Sequence, residues 1–76
     1  MQLIELKKGN HAEILRVEAD KALKDRLASL GVSKGENLTV MGCSLAKQTM
    51  EIEVGGTLIA LRAEEAAKIE VALLSH

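Results

Sequence analysis

Apolar and polar residues alternate strictly in the middle of the chain, and this alternation predicts a β-hairpin. Residues 50–54 (MEIEV) place their apolar side chains on one face and Glu51 and Glu53 on the other, which is the pattern of a half-buried strand. The glycines at 55–56 predict a tight turn, because glycine adopts positive φ without steric cost. Residues 57–62 (TLIALR) then form the return strand.

Residues 20–30 change to the period of an α-helix. Their apolar positions form a single stripe, which consists of Ala22, Leu23, Leu27 and Leu30. Asp20 is the expected N-cap, since its carboxylate can accept hydrogen bonds from the free N–H groups of the first turn. Gly31 is expected to end the helix in a left-handed conformation.

Three further strands, a loop and a short helical turn complete the pattern. The strands cover residues 11–19, 36–42 and 69–74, the loop covers 43–49, and residues 62–68 form the helical turn. In the strands at 36–42 and 69–74, the side chains expected to face inward are Leu38, Val40, Gly42, Ile69, Val71 and Leu73.

The first strand changes the parity of its apolar positions. Ala12 and Ile14 lie on one face, whereas Leu15 and Val17 lie on the other. A β-bulge and a strand covered on both faces explain this pattern equally well. Five short strands with glycine turns favour a small closed barrel, because closure removes exposed strand edges. The predicted fold is therefore mainly β and forms one domain over residues 1–76, with one α-helix after the first strand and a helical turn before the last.

Composition limits which residue types can form the core and which kinds of site the chain can carry. The chain has 76 residues, no Phe, Trp, Tyr or Pro, one cysteine, two histidines and a net charge of −1. Its core must therefore be aliphatic. Cys43 cannot form an intrachain disulfide, and one cysteine with two histidines cannot fill a four-ligand Cys/His zinc site.

Several classes of partner are excluded by the same numbers. Without aromatic rings the chain cannot stack single-stranded bases or line a polyproline groove. The net charge of −1 removes the attraction that dominates duplex binding, so we expect no nucleic-acid partner. No apolar run is long enough to cross a membrane, and the first residues do not have the pattern of a signal peptide. These features, together with the lone thiol, predict a cytosolic protein.

No combination of nucleophile and base is visible, so we expect no enzymatic activity. A divalent transition metal ion has only scattered candidate ligands, namely Glu64, Glu65, His11 and Cys43. Each also has a simpler interpretation. The two glutamates suit the start of a helical turn, the histidine begins a strand beside a turn, and the cysteine has no basic neighbour in sequence that would activate it.

Two spaced motifs identify a family. RLxxLGxxxG runs from Arg26 to Gly35, and ALRxxEAxxIxV runs from Ala60 to Val71, preceded by Gly56. Together with the opening Leu-x-x-Gly at residues 6–9, their order and spacing resemble the FeoA family over residues 3–73. The chain departs from the family in the central loop, where Ser44-Leu45-Ala46-Lys47 replaces a Pro-Leu-Gly-like segment.

The resemblance implies an SH3-like barrel that acts in the cytosol as an accessory protein of ferrous iron uptake. Its implied partner is the FeoB permease, a membrane protein with a cytosolic GTP-binding domain. Similar domains occur at the C-terminus of iron-dependent repressors, so a metal-binding or metal-sensing domain is the alternative. Self-association also stays open, because Met41 and Met50 are expected near a sheet edge.

The surface expected to bind the partner combines the helix–turn region, residues 20–35, with the central loop and the last strand of the hairpin. Its candidate contacts are Lys24, Arg26, Ser44, Leu45, Lys47 and Arg62. For the two arginines a second interpretation is open, in which each pairs with a nearby carboxylate and holds the helix on the barrel.

Overall fold

The five strands form one antiparallel sheet in the order β4-β3-β2-β1-β5. The computed structural model describes the backbone of residues 1–44, 46 and 48–75, and the side chains of all of these except residue 75. Its elements are a 3₁₀ turn (Leu3–Glu5), β1 (His11–Val17), α1 (Lys21–Ser29), β2 (Asn37–Cys43), β3 (Thr49–Val54), β4 (Thr57–Arg62), α2 (Ala63–Ala66) and β5 (Ile69–Ser75). The predicted architecture is confirmed, with one helix after the first strand and a helical turn before the last.

The two edge strands follow each other in the chain, and α2 connects them. Among the described residues, no ladder of backbone hydrogen bonds joins β4 to β5. The predicted mainly β, five-stranded fold is therefore confirmed, but strand pairing does not close the sheet into a barrel at this seam.

The core is aliphatic, as the composition predicts. Within the described part of the chain, no polar or charged side chain is buried. The apolar residues of β3 face inward as expected, and β5 buries Ile69 and Val71. Leu73 was predicted on the same face but is 39% exposed. Leu73 still pairs with the buried Ala12, so it keeps the predicted face, and its exposure comes near the end of the strand, just before the extra residue of β5.

A β-bulge explains the change of parity in β1. Ile14 pairs with Val71 and Arg16 pairs with Glu70, so Leu15 is an extra residue without a partner on β5. Its side chain is 41% exposed, whereas Ile14 before it and Val17 after it are buried. Of the two alternatives, the bulge is confirmed and double-sided burial is wrong.

α1 begins and ends as predicted. The Asp20 carboxylate accepts a hydrogen bond from the Leu23 N–H group at 2.9 Å. At the other end Gly31 has φ +97°. The N–H groups of Gly31 and Val32 donate to the carbonyls of residues 28 and 27, which is a Schellman motif.

The predicted apolar stripe of α1 is only half correct. Leu27 is fully buried and Leu23 packs partly against the core. Ala22 and Leu30 are exposed. Leu30 is the C-cap residue, where the chain turns away from the sheet, so the helical spacing no longer aims its side chain at the core.

The central loop is shorter than predicted. Cys43 belongs to β2 and Thr49 to β3, where they pair with Met50 and Arg62, so the connection covers residues 44–48. The hairpin turn is confirmed, because both of its glycines have positive φ, 57° and 84°.

A second bulge changes the face of β2. Val40 pairs with Ile52 and Gly42 pairs with Glu51, so Met41 is an extra residue and is 42% exposed. Gly42 was predicted to face inward. It lies instead opposite an outward glutamate, whose Oε1 atom is 3.8 Å from the position that a Cβ atom on Gly42 would occupy.

Candidate functional site: the loop-side surface

Glu65 connects three parts of the structure. It lies in α2, and its side chain is only 13% exposed. Its Oε1 atom accepts a hydrogen bond from the Arg62 N–H group at 2.9 Å, and its Oε2 atom pairs with the guanidinium of Arg26. Arg26 lies in the last turn of α1, so the ion pair ties this helix to α2. The structural interpretation of Arg26 is thus supported, while its role in partner binding stays a prediction.

A shallow groove of about 440 Å³ lies beside α2, where the ends of β3 and β4 meet. Its lining includes Thr49, Arg62 and Glu64. The Arg62 side chain is 77% exposed and its only described ion pair is a loose one to Glu64 at 3.8 Å. The guanidinium is therefore accessible to a partner from the groove.

A second groove, of about 480 Å³, crosses the outer face of the sheet from β2 to β4. Its lining includes Lys8, Met41, Cys43 and Glu51. The two grooves share Thr49, so they form one continuous surface next to the 44–48 connection. We call this the loop-side surface.

Ser44 stabilises the start of the connection that borders this surface. Its hydroxyl accepts hydrogen bonds from the N–H groups of Gln48 at 3.1 Å and Thr49 at 2.9 Å. Ala46 adopts φ 63°, a left-handed conformation that costs a residue with a Cβ atom. The candidate contacts Leu45 and Lys47 lie outside the described residues.

The structure brings together only some of the predicted partner contacts. Ser44 and Arg62 both border the loop-side surface. Lys24 is exposed on α1 and lines neither groove. Sequence reasoning missed Lys8 and Met41 as lining residues. The signal for Met41 was the break in apolar alternation after Val40, which marks the bulge that exposes it.

The predicted metal ligands are not brought together. His11 begins β1, where its Nδ1 atom is hydrogen-bonded to the Thr39 hydroxyl at 2.8 Å. Cys43 is exposed at the end of β2, and Glu64 and Glu65 lie in α2. In the described ranges, no group of three or more His, Cys, Asp or Glu residues is placed to hold a metal ion. No helix in those ranges is long and apolar enough to span a membrane.

Sequence comparisons give relatives that share nearly the full length of the chain. A Campylobacter jejuni subsp. jejuni protein that carries the name Fe(2+) transport protein A is 42% identical over 74 residues. The match covers 97% of this chain and 100% of the relative. A fusion of Fe(2+) transport protein A with the Fe(2+) transporter FeoB, from Porphyromonas gingivalis, is 36% identical over 75 residues, which cover 99% of this chain and 9% of the fusion.

Solved structures agree with the fold. The solution structure of the FeoA protein from Chlorobium tepidum superposes with a TM-score of 0.92 at 36% identity, covering 99% of this chain and 71% of that one. A manganese-dependent transcriptional repressor superposes with a TM-score of 0.89 at 24% identity, covering 97% of this chain and 36% of that one, which shows a shared fold. The sequence profile of the FeoA domain matches residues 1–73, and the chain therefore belongs to the FeoA family.

Proposed function

We propose that the protein is a non-enzymatic, cytosolic accessory protein of ferrous iron uptake that acts by binding the FeoB permease. One observation carries this proposal. In Porphyromonas gingivalis a domain 36% identical to this chain is fused to the transporter FeoB in one polypeptide. Fusion keeps two proteins at high effective concentration, which is useful when the two must meet repeatedly.

The loop-side surface is the part of the molecule best suited to this contact. It is concave, combines the exposed methionine of the β2 bulge with the charged Lys8, Glu51 and Arg62, and borders a connection between strands. Connections carried by a rigid sheet are where small β-domains present binding residues. Mixed apolar and charged lining suits a transient protein contact better than it suits a small apolar ligand.

Retention on the immobilised cytosolic domain of the permease tests the proposal. The domain is prepared without nucleotide, with GDP and with a non-hydrolysable GTP analogue, and biolayer interferometry measures binding of the chain. We expect saturable binding at tens of micromolar or tighter in at least one nucleotide state. No binding at 100 µM in any of the three states would refute the proposal.

Charge reversal locates the contact. Arg62→Glu should weaken binding at least about tenfold, the usual size of effect for a charged interface contact. Arg16→Glu is the matched control, because Arg16 is also exposed and paired with a neighbouring glutamate but lies on β1. If the two variants bind the permease domain equally well, the loop-side surface is not the contact.

A further inference from the structure

The outer edge of β4 offers unpaired backbone groups. β4 is the last strand of the sheet, and its hairpin turn has two residues, so Thr57 directly faces Val54. In such a hairpin Thr57, Ile59 and Leu61 hydrogen-bond to β3, while Leu58 and Ala60 point their N–H and C=O groups away from it. Among the described residues, none of these outward groups has a backbone partner.

The opposite edge of the sheet, formed by β5, is partly covered. The Val71 N–H group donates to the Met1 carbonyl at 2.8 Å, and Gln2 forms a bridge with Glu70. The first residues therefore satisfy part of the outer side of β5. The two edges of the same sheet thus differ, since no described segment lies along β4 as the first residues lie along β5.

β4 also lacks the features that usually protect an edge strand. Residues 57–61 (TLIAL) contain no charge and no proline. The strand pairs with β3 over six consecutive positions without a bulge, so its edge is regular. Leu58 is 60% exposed, the largest exposure among the large apolar side chains described. A regular, uncharged, apolar edge is a template for another strand.

We propose that two copies of this chain associate through their β4 edges, as antiparallel strands related by a two-fold axis at Ile59. The free groups determine this register. The Arg62 N–H group already donates to Glu65, so only Leu58 and Ala60 remain available. Placing Leu58 opposite Ala60 of the second copy uses all of these groups and forms four backbone hydrogen bonds. An axis at Leu58 would leave half of the free backbone groups unpaired. An axis at Ala60 would place Leu58 opposite Arg62, whose N–H group is already bound.

The side chains favour a second copy as the occupant. In this register each exposed leucine of one β4 lies beside the alanine of the other, so a large side chain meets a small one. No charged residue of either β4 faces a like charge, which is the usual obstacle to pairing a strand with itself. A symmetric antiparallel contact of this kind also closes on itself as a dimer and leaves no free edge for a fibre.

The expected dimer is weak. Two short strands bury less than the ~1,200 Å² that characterises stable complexes, so we expect a dissociation constant between about 10 µM and 1 mM. Sedimentation velocity on the full chain, from about 5 µM to 1 mM and with a reductant that keeps Cys43 unlinked, should show the mass rising from 8.2 kDa toward twice that value. Concentration-dependent amide shifts in NMR spectra should be largest at Leu58 and Ala60 and small at Thr57 and Ile59.

Lysine substitution separates this edge from other exposed apolar sites. Leu58→Lys should weaken dimerisation at least tenfold, because lysine on an edge strand opposes pairing. Leu15→Lys is the control, since Leu15 is 41% exposed on β1, which has a neighbour on both sides, and it should leave the dimer unchanged. A chain that stays monomeric at 1 mM, a dimer that survives Leu58→Lys, or a β4 edge that binds only the permease domain would each overturn the proposal.

Discussion

Replacing Leu27 by alanine tests how α1 is held against the sheet. Leu27 is the only residue of this helix that is fully buried, and Leu23 is only partly buried. Leu→Ala in a core costs about 2–5 kcal/mol, because the transfer free energy of the removed atoms is lost and a cavity remains. α1 lies on one side of the sheet and can settle toward the gap, so we expect about 2–3 kcal/mol, the lower part of that range.

This loss is large for a chain of 76 residues, whose total unfolding free energy is expected to be about 4–11 kcal/mol. Urea unfolding followed by far-UV circular dichroism measures it, since a chain without Trp or Tyr has no useful intrinsic fluorescence. We expect the midpoint to fall while the slope m stays constant, because the surface exposed on unfolding hardly changes.

Leu30→Ala is the matched control. The same substitution is made three residues further on, at an exposed C-cap position, where a change of less than about 0.5 kcal/mol is expected. Equal losses for the two variants, or an unchanged midpoint for Leu27→Ala, would show that Leu27 does not anchor the helix.

Three further changes, one of them with a control substitution, test local features. Gly31→Ala should cost about 1–2 kcal/mol, because φ +97° strains any residue with a Cβ atom, although the added Cβ would make only an ordinary van der Waals contact, 3.7 Å from Val54 Cγ1. Gly42→Ala, at a glycine without positive φ, should lower the urea midpoint far less. Ala46→Gly should raise the midpoint, since Ala46 holds φ 63°, and an unchanged or lower midpoint would contradict this. The pKa of Glu70 lies below its usual value because the N-terminal ammonium donates a hydrogen bond to it at 2.8 Å and attracts its charge. Because its pKa is lower in the folded than in the unfolded state, the ionised carboxylate stabilises the fold at pH values above the unfolded pKa of about 4.3. This contribution is lost as the pH falls through the folded-state pKa. Wild type should therefore exceed Glu70→Gln in stability at pH 6, and the difference should vanish near pH 2; a constant difference would refute this.

Most of the fold could be predicted from the sequence, because at most positions the backbone conformation is determined by residues close by in the chain. The alternation of MEIEV, the two glycines of the hairpin and the capping residues Asp20 and Gly31 each determine their own backbone conformation. The predictions failed where pairing between strands determines which face a side chain occupies. Whether Gly42 faces inward depends on the bulge at Met41, and a bulge depends on the partner strand as much as on its own residues.

The candidate site was less predictable for the same reason. Arg62 and Ser44 were found from the motif and the loop, but Lys8 and Met41 join them only after the chain has folded. The pairing of Arg26 with Glu65 spans 39 positions in sequence, and nothing local to either residue selects the other. Charge alone offers many partners, since the chain contains 11 acidic residues.

The residues that carry the family resemblance mainly secure the fold. Leu27, Ala66, Ile69 and Val71 are buried, and Gly31 supplies a positive φ, so none of these side chains is accessible to a partner.

Glu65 shows how far this structural role extends. One of its oxygens ties α1 to α2 through Arg26, and the other occupies the Arg62 N–H group at the end of β4. The same carboxylate thus holds the helix in place and limits the open part of the β4 edge to Leu58 and Ala60. Ala60 and Arg62 are exceptions within the motif, since both are exposed, although the Arg62 N–H group is bound to Glu65. The proposed permease contact through Arg62 and the proposed contact between copies through Ala60 therefore each use one exposed motif residue beside residues outside the motif.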